Sequence, residues 1–526
     1  MPTNSISAKR HLVVVAKAGV AVPPSLRTLE GMGNMFALPS ASVAVRPLFH
    51  PRPRHKYLSP EAAHSVTLQM DRFYHVSAPD EQLESLHRQL SKHALVEAVY
   101  IKPPTHFAVL MNKMAPLPSA APSITPDFTG RQGYLDPAPG GVDARFAWTV
   151  NGGDGSGVNV IDVEGEWQFT HEDLQQHKGG VVAGTPPGDL GWRNHGTAVI
   201  GTISADANGF GVTGIAPGVS LRAVSVFPES FGSSSAIQQA ADLVNPGDII
   251  LIELHRPGPR YNFDERDDQA GFIAVEWWPD DLAAIQYATA KGVIVVEAGG
   301  NGAESLDDPI YDQNPQPPNG PFPATWTNPY RRSPVDSGAI VVGAGAPPEG
   351  THGKTWGPDR SRLDFSNYGS LVDCQGWGRE VTSCGYGDLQ GGVTEDTWYT
   401  DQFSGTSSAS PVVVGSIACV QGALKAAGQS LLTPPAARRL LQSSGSAQND
   451  GLAGPSSQRI GNRPDIRQMI GLTLGSAAPN APLVRTTPQA VSMATNHTES
   501  KIVERTSDGM SIVVNIYAGR QESEDK

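Results

Sequence analysis

The sequence predicts an α/β protein whose main domain is three layers deep around a parallel sheet, with a small α+β domain ahead of it. Two observations carry this. Five near-continuous apolar, β-branched runs, VNVIDV (158–163), LRAVSVF (221–227), DIILIEL (248–254), GVIVVEA (292–298) and AIVVGAG (339–345), have the character of strands buried on both faces. Helical stretches lie between them, among them SSAIQQAADLV (234–244) and DLAAIQYATAK (281–291), and strands alternating with helices build parallel sheets.

Residues 10–105 read as the small α+β domain. HLVVVAK (11–17), SVTLQM (65–70), RFYHVSA (72–78) and VEAVYIKPP (96–104) read as strands. PDEQLESLHRQLSKH (79–93) reads as a helix capped by Asp80, with Leu83, Leu86 and Leu90 at helical spacing. Residues 106–126 form a linker; its APLPSAAPSITP stretch (115–126) is rich in Pro, Ala and Ser and marks a plausible cleavage zone. The main domain spans 127–475. Residues 476–526 form a polar C-terminal tail in which MSIVVNIYAG (510–519) alternates as a strand does.

A chain of 526 residues exceeds a typical single domain, and 39% hydrophobic with 17% charged residues suits a soluble globular protein with a sizeable core. The net charge of -13 disfavours nucleic acid and anionic membranes as partners. No uninterrupted apolar run approaches a membrane span. The N-terminal apolar run is broken by Lys17, too early for a clear signal peptide. Three cysteines exclude a disulfide-dense scaffold or a Cys-rich zinc protein. Cys419 sits in an apolar run as a buried thiol; Cys374 and Cys384 bracket a Gly-containing loop, and spacing alone leaves a bridge between them open.

Three segments carry chemistry. In FSGTSSASP (403–411), Ser407 opens a long helical run of small and apolar residues. There it meets the positive end of the helix dipole and free amides. A lone serine in that place is ordinarily an N-cap, and as a nucleophile it needs a base. In RNHGTAVIGTI (193–203), His195 begins a buried helical pattern that can present its ring to a cleft. Asp162 ends the GVNVIDVEG strand, where ligand sites of parallel α/β sheets form; there it can orient a histidine or simply make turn hydrogen bonds.

Together these segments resemble the subtilisin-like serine proteases. Asp162, His195 and Ser407 follow the family's order, which subtilisin itself exemplifies, separated by 33 and 212 residues. THEDL (170–174), GIAPGVSLRAVSVF (214–227), FSNYG (365–369) and NRPDIRQMI (462–470) resemble further family segments. The resemblance spans roughly 130–475. It implies a serine endopeptidase with Asp162, His195 and Ser407 as triad. VVEAGGNG (295–302) resembles the segment that supplies an oxyanion-hole amide, here Asn301, beside Gly299 and Gly300 in the substrate cleft. The implied partners are protein or peptide substrates and the chain's own N-terminal domain, which resembles a propeptide that templates a slow-folding parallel sheet.

The chain departs from the family pattern in three places. One residue is inserted after Asp162, in Asp162-Val163-Glu164-Gly165, so the following turn must be remodelled. The second histidine of the family's histidine motif is Ala198. In DIILIELHRPG (248–258), Glu253 and His255 replace the Ser- and Gly-rich substrate edge and are expected to face the peptide groove. No cofactor is required by this chemistry. Calcium is common in the family, and Asp264, Glu265, Asp267, Asp268 and Asp307, Asp308, Asp312 are the acidic clusters to test for it. A propeptide points to export, the missing signal peptide away from it. Two rivals are an acid-active sedolisin-like peptidase, against which NHGT (194–197) argues, and a non-catalytic binding protein on the same scaffold, against which the intact triad argues.

Overall fold

The protein is described by a computed structural model that covers residues 9–19, 43–50, 69–108, 122–228 and 232–475, together with the backbone of 500–505 and 511–516. The strand expected at 65–70 and the Pro-rich stretch 115–126 fall largely outside the described residues.

The N-terminal domain is built on period two. Strands β1 (His11–Ala16), β2 (Ala44–Pro47), β3 (Phe73–Ser77) and β4 (Val96–Lys102) form one antiparallel sheet in the order β2-β3-β1-β4. Alternate side chains leave a strand on opposite faces. Leu12, Val14 and Ala16 accordingly pack with Leu83, Leu86 and Leu90 of helix α1 (Leu83–Leu90). Val13 and Val15 point the other way and join Phe73, Ala98 and Tyr100 in a core shared with Trp277 and Trp278 of the main domain. The sheet therefore has its own core on one face and is docked on the other.

In the main domain seven strands run parallel in the order β13-β12-β11-β8-β5-β7-β6. They are β5 (Asn159–Glu164), β6 (Lys178–Ala183), β7 (Ser220–Ser225), β8 (Ile249–Ile252), β11 (Ile294–Ala298), β12 (Ile340–Gly345) and β13 (Cys374–Trp377). The five apolar runs supply the five central strands. The two edge strands, KGGVVA and CQGW, carry too few β-branched residues to stand out in the sequence. A short antiparallel pair, β9 (His255–Pro257) and β10 (Phe272–Ala274), continues beyond β8.

Each face of the parallel sheet is covered by helices. Val160, Ala223, Leu251, Val296 and Val342 pack against α2 (Leu190–Ser204) and α5 (Thr406–Ala426). Ile161, Val163, Val224, Ile250, Val295 and Val341 pack against α3 (Gly232–Asp242) and α4 (Pro279–Ala290). Period two then places Asp162 and Glu164 on the same face as Val160, the face of α2 and α5. Helix α5 is long and apolar enough to cross a membrane, but its apolar window is wholly enclosed by protein. The three cysteines are free and buried, so Cys374 and Cys384 are not bridged. In the tail, Ser500–Arg505 and Ser511–Ile516 pair antiparallel as a separate unit.

Candidate active site

Strand β5 runs two residues past Asp162, to Glu164. The residue inserted after Asp162 thus lengthens the strand instead of remodelling its turn, and it brings a second carboxylate to the same face. Glu164 reaches the histidine: its Oε2 lies 2.5 Å from His195 Nδ1, with both side chains fully buried. Asp162, expected in that place, instead accepts a 2.8 Å hydrogen bond from the indole of Trp167 through Oδ2. The period of the strand carried the signal for Glu164; the expectation from motif order passed over it.

Burial pushes the Asp162 carboxyl well above the usual range, and the neighbouring Glu164 charge adds to it. Burial raises Glu164 as well, while a hydrogen bond from the Asp162 carboxyl favours its charged form. Two adjacent buried carboxyls resist double ionisation, so the pair shares at least one proton. Burial pulls the His195 imidazole down to about 3, so the ring is neutral at ordinary pH. Its Nε2 is buried and has no hydrogen-bond partner in the protein.

Ser407 lies in the first turn of α5, after Gly405 at φ +103°, in the left-handed half of φ space that favours glycine. Its Oγ is likewise buried and unpartnered. The Ser407 N–H donates to the carbonyl of Ala108 at 3.2 Å. Phe107, one residue earlier, stacks on the His195 ring at 4.9 Å and meets Trp192 edge-on at 4.7 Å. Consecutive residues of one extended segment thus touch histidine and serine, which brings His195 and Ser407 to the same short stretch of cleft.

Asn301 sits beside this turn. Its Oδ1 accepts from the Thr406 N–H at 2.9 Å and from the Thr406 hydroxyl at 3.0 Å, which fixes the orientation of the amide. Its Nδ2 donates to Gln269 at 3.0 Å, not to the Ala108 carbonyl. The backbone groups of Gly299 and Gly300 bond Val342, Asn367 and Thr406.

The His255 backbone forms the cleft edge, exchanging a pair of 3.0 Å hydrogen bonds with His106. Glu253 lies one residue past the end of β8 and is fully buried, as is the His255 side chain. Burial, then the charge of Asp162, raises the Glu253 carboxyl, with the hydroxyls of Ser407 and Ser410 acting in the opposite sense.

Arginines hold part of each acidic cluster. Asp268 pairs with Arg266, Asp308 with Arg260, and Asp307 and Asp312 with Arg331. Among the described residues no group of three metal-ligating side chains converges.

A histidine backed by a carboxylate, facing a helix-borne serine above the ends of parallel strands, places this chain among the serine-type endopeptidases. The subtilase family model matches residues 80–462, and the chain belongs to the subtilase family. It is 29% identical to Subtilisin Savinase of Lederbergia lenta over 271 residues, 51% of this chain and 77% of that one. It is 28% identical to the Extracellular protease of Xanthomonas campestris over 305 residues, 57% of this chain but only 42% of that longer one. The epidermin leader peptide processing serine protease of Staphylococcus aureus shares the fold at TM-score 0.52 and 16% identity, over 89% of this chain and all of that one.

Proposed function

We propose that the chain is a self-processing serine endopeptidase in which Ser407 is the nucleophile, His195 the base and Glu164 the carboxylate that orients it. The 2.5 Å contact between His195 Nδ1 and Glu164 supports this most directly. With Nδ1 held by Glu164, the free Nε2 is the nitrogen left to take the Ser407 proton. Ser407 Oγ attacks the peptide carbonyl, and the proton passes to His195. Glu164 stabilises the imidazolium formed. Asp162, holding a proton toward Glu164 and tied by the Trp167 indole, keeps that carboxylate in place.

The Ser407 N–H stabilises the oxyanion as the tetrahedral centre forms, and the Asn301 Nδ2 is the second donor once it leaves Gln269. His195 then gives its proton to the departing amine. Water, deprotonated by the same nitrogen, releases the acyl group from Ser407.

The N-terminal domain acts as the propeptide. Its docked sheet face and a buried Lys102 held by Asp280 and Asp281 at 2.6 and 2.7 Å fit a domain that folds against the enzyme before release. Similarity to a protease named as extracellular supports export of the chain. The test is labelling with a fluorophosphonate probe: it is expected on Ser407 and lost in Ser407→Ala and His195→Ala. Labelling that survives His195→Ala would remove the proposed base.

A further inference from the structure

The segment leaving the N-terminal domain enters the cleft in an ordered sequence of contacts. After β4, the Arg256 guanidinium holds the Pro103 carbonyl. His106 adds to the free edge of β9, exchanging both backbone hydrogen bonds with His255, and its ring lies 5.3 Å from that of Phe272. This is strand addition, in which main-chain bonds give affinity and pockets read the side chains. Phe107 fills the space between Trp192 and His195. Ala108 is fully buried, and its carbonyl oxygen accepts from the Ser407 N–H.

An extended chain that pairs with the cleft edge, covers the histidine and presents one carbonyl to the nucleophile's own amide is disposed as a substrate. We infer that Ser407 cuts the chain after Ala108, at the Ala108–Val109 bond, and that the mature enzyme prefers substrates with a small residue on the acyl side of the scissile bond and an aromatic residue before it. The assignment rests on the reading of Ser407 as nucleophile. It moves the processing point upstream of the Pro-rich 115–126 stretch that composition alone marks.

The chemistry balances within the chain and one water. Ser407 Oγ bonds the Ala108 carbonyl carbon, the bond to the Val109 nitrogen breaks, and the serine proton reaches that nitrogen through His195. Water then frees Ala108 as a carboxylate. The carboxylate stays on the Ser407 N–H while the His106–His255 pairing and the Lys102 anchor hold, so the cut N-terminal domain remains an inhibitor until it dissociates.

The preference follows from space and geometry. Ala108 has no exposed surface and its carbonyl lies on the Ser407 N–H, so a large side chain there meets protein. Phe107 meets two aromatic rings at distances typical of favourable aromatic pairs.

Intact mass spectrometry of the full chain during maturation tests the assignment. The first-formed fragments are expected to end at Ala108 and to begin at Val109, and to be absent in Ser407→Ala. Ala108→Glu is expected to slow that cut at least about 100-fold, and Ala108→Ser to preserve it.

A peptide spanning Pro104–Asn112, given to the mature enzyme, separates recognition from any folding defect of these variants. It is expected to be cut after Ala108, and its Phe107→Asp version about 10-fold or more slower. A chain that takes the fluorophosphonate on Ser407 yet first cuts elsewhere, or stays whole, overturns the assignment and leaves the proposed chemistry standing. A chain that neither labels nor cuts overturns both.

Discussion

Glu164 and Asp162 stand two residues apart on one strand, and only Glu164 touches His195; Asp162 turns to the indole of Trp167. The histidine is thus held by the outer of two stacked carboxyls, with the inner one braced behind it. In the proposed mechanism this arrangement divides between two carboxyls the work usually given to a single aspartate.

Substitution separates these roles. Glu164→Gln keeps shape but removes the charge and leaves the wrong imidazole tautomer available, so kcat is expected to fall about 10³- to 10⁴-fold. Asp162→Asn keeps a donor toward Glu164 and is expected to cost about 10-fold or less, in line with one lost or weakened buried hydrogen bond. Steady-state kinetics on both variants checks this; a larger loss for Asp162→Asn would return the orienting role to the aspartate.

The pH dependence follows from the His195 shift. Catalysis needs the neutral ring, and burial lowers its pKa to about 3 while Phe107 covers it. A lowered histidine pKa keeps the base neutral to lower pH, so the acid limb of self-cleavage is expected below the ordinary histidine value of about 6.5. Once the N-terminal domain leaves, water reaches the ring and the limb for peptide hydrolysis is expected to move up toward that value. Matched pH–rate profiles of precursor and mature enzyme check the order; a precursor limb above the mature one contradicts it.

Asn301 offers a separate test. As a second oxyanion donor its loss in Asn301→Ala is expected to lower kcat by about 10²- to 10³-fold with little change in KM. Circular dichroism must accompany the kinetics, because Asn301 also anchors Thr406. A kcat unchanged in a folded variant would leave Asn301 as a brace for the nucleophile turn.

Lys102 is nearly inaccessible and shared between two buried carboxylates. Lys102→Ala leaves Asp280 and Asp281 facing each other without that cation, with Arg256 more distant at 3.6 Å from Asp281. Breaking a buried ion pair from one side costs about 3–5 kcal/mol. Urea unfolding of the Ser407→Ala precursor, with and without Lys102→Ala, is expected to show a loss of that size.

Much of this protein was legible from one dimension. The five central strands announced themselves because burial on both faces forbids polar alternation, whereas the Gly-rich edge strands Lys178–Ala183 and Cys374–Trp377 did not. Ser407 stood out because it opens a helix of small and apolar residues, and His195 because it precedes an apolar run; the helix that carries His195 in fact begins five residues earlier, at Leu190. The burial of Glu253 was not legible, because a strand's sequence does not say at which residue it leaves the core.

Two matters were decided only by the tertiary structure. Strand period alone put Asp162 and Glu164 on the same face as Val160, but which carboxyl reaches His195 depends on where Trp167 folds back and how far β5 extends. Which carbonyl meets the Ser407 N–H depends on where a docked sheet, anchored through Lys102, releases its chain into the cleft. Both are distances between segments far apart in sequence, and composition and periodicity report only on neighbours along the chain.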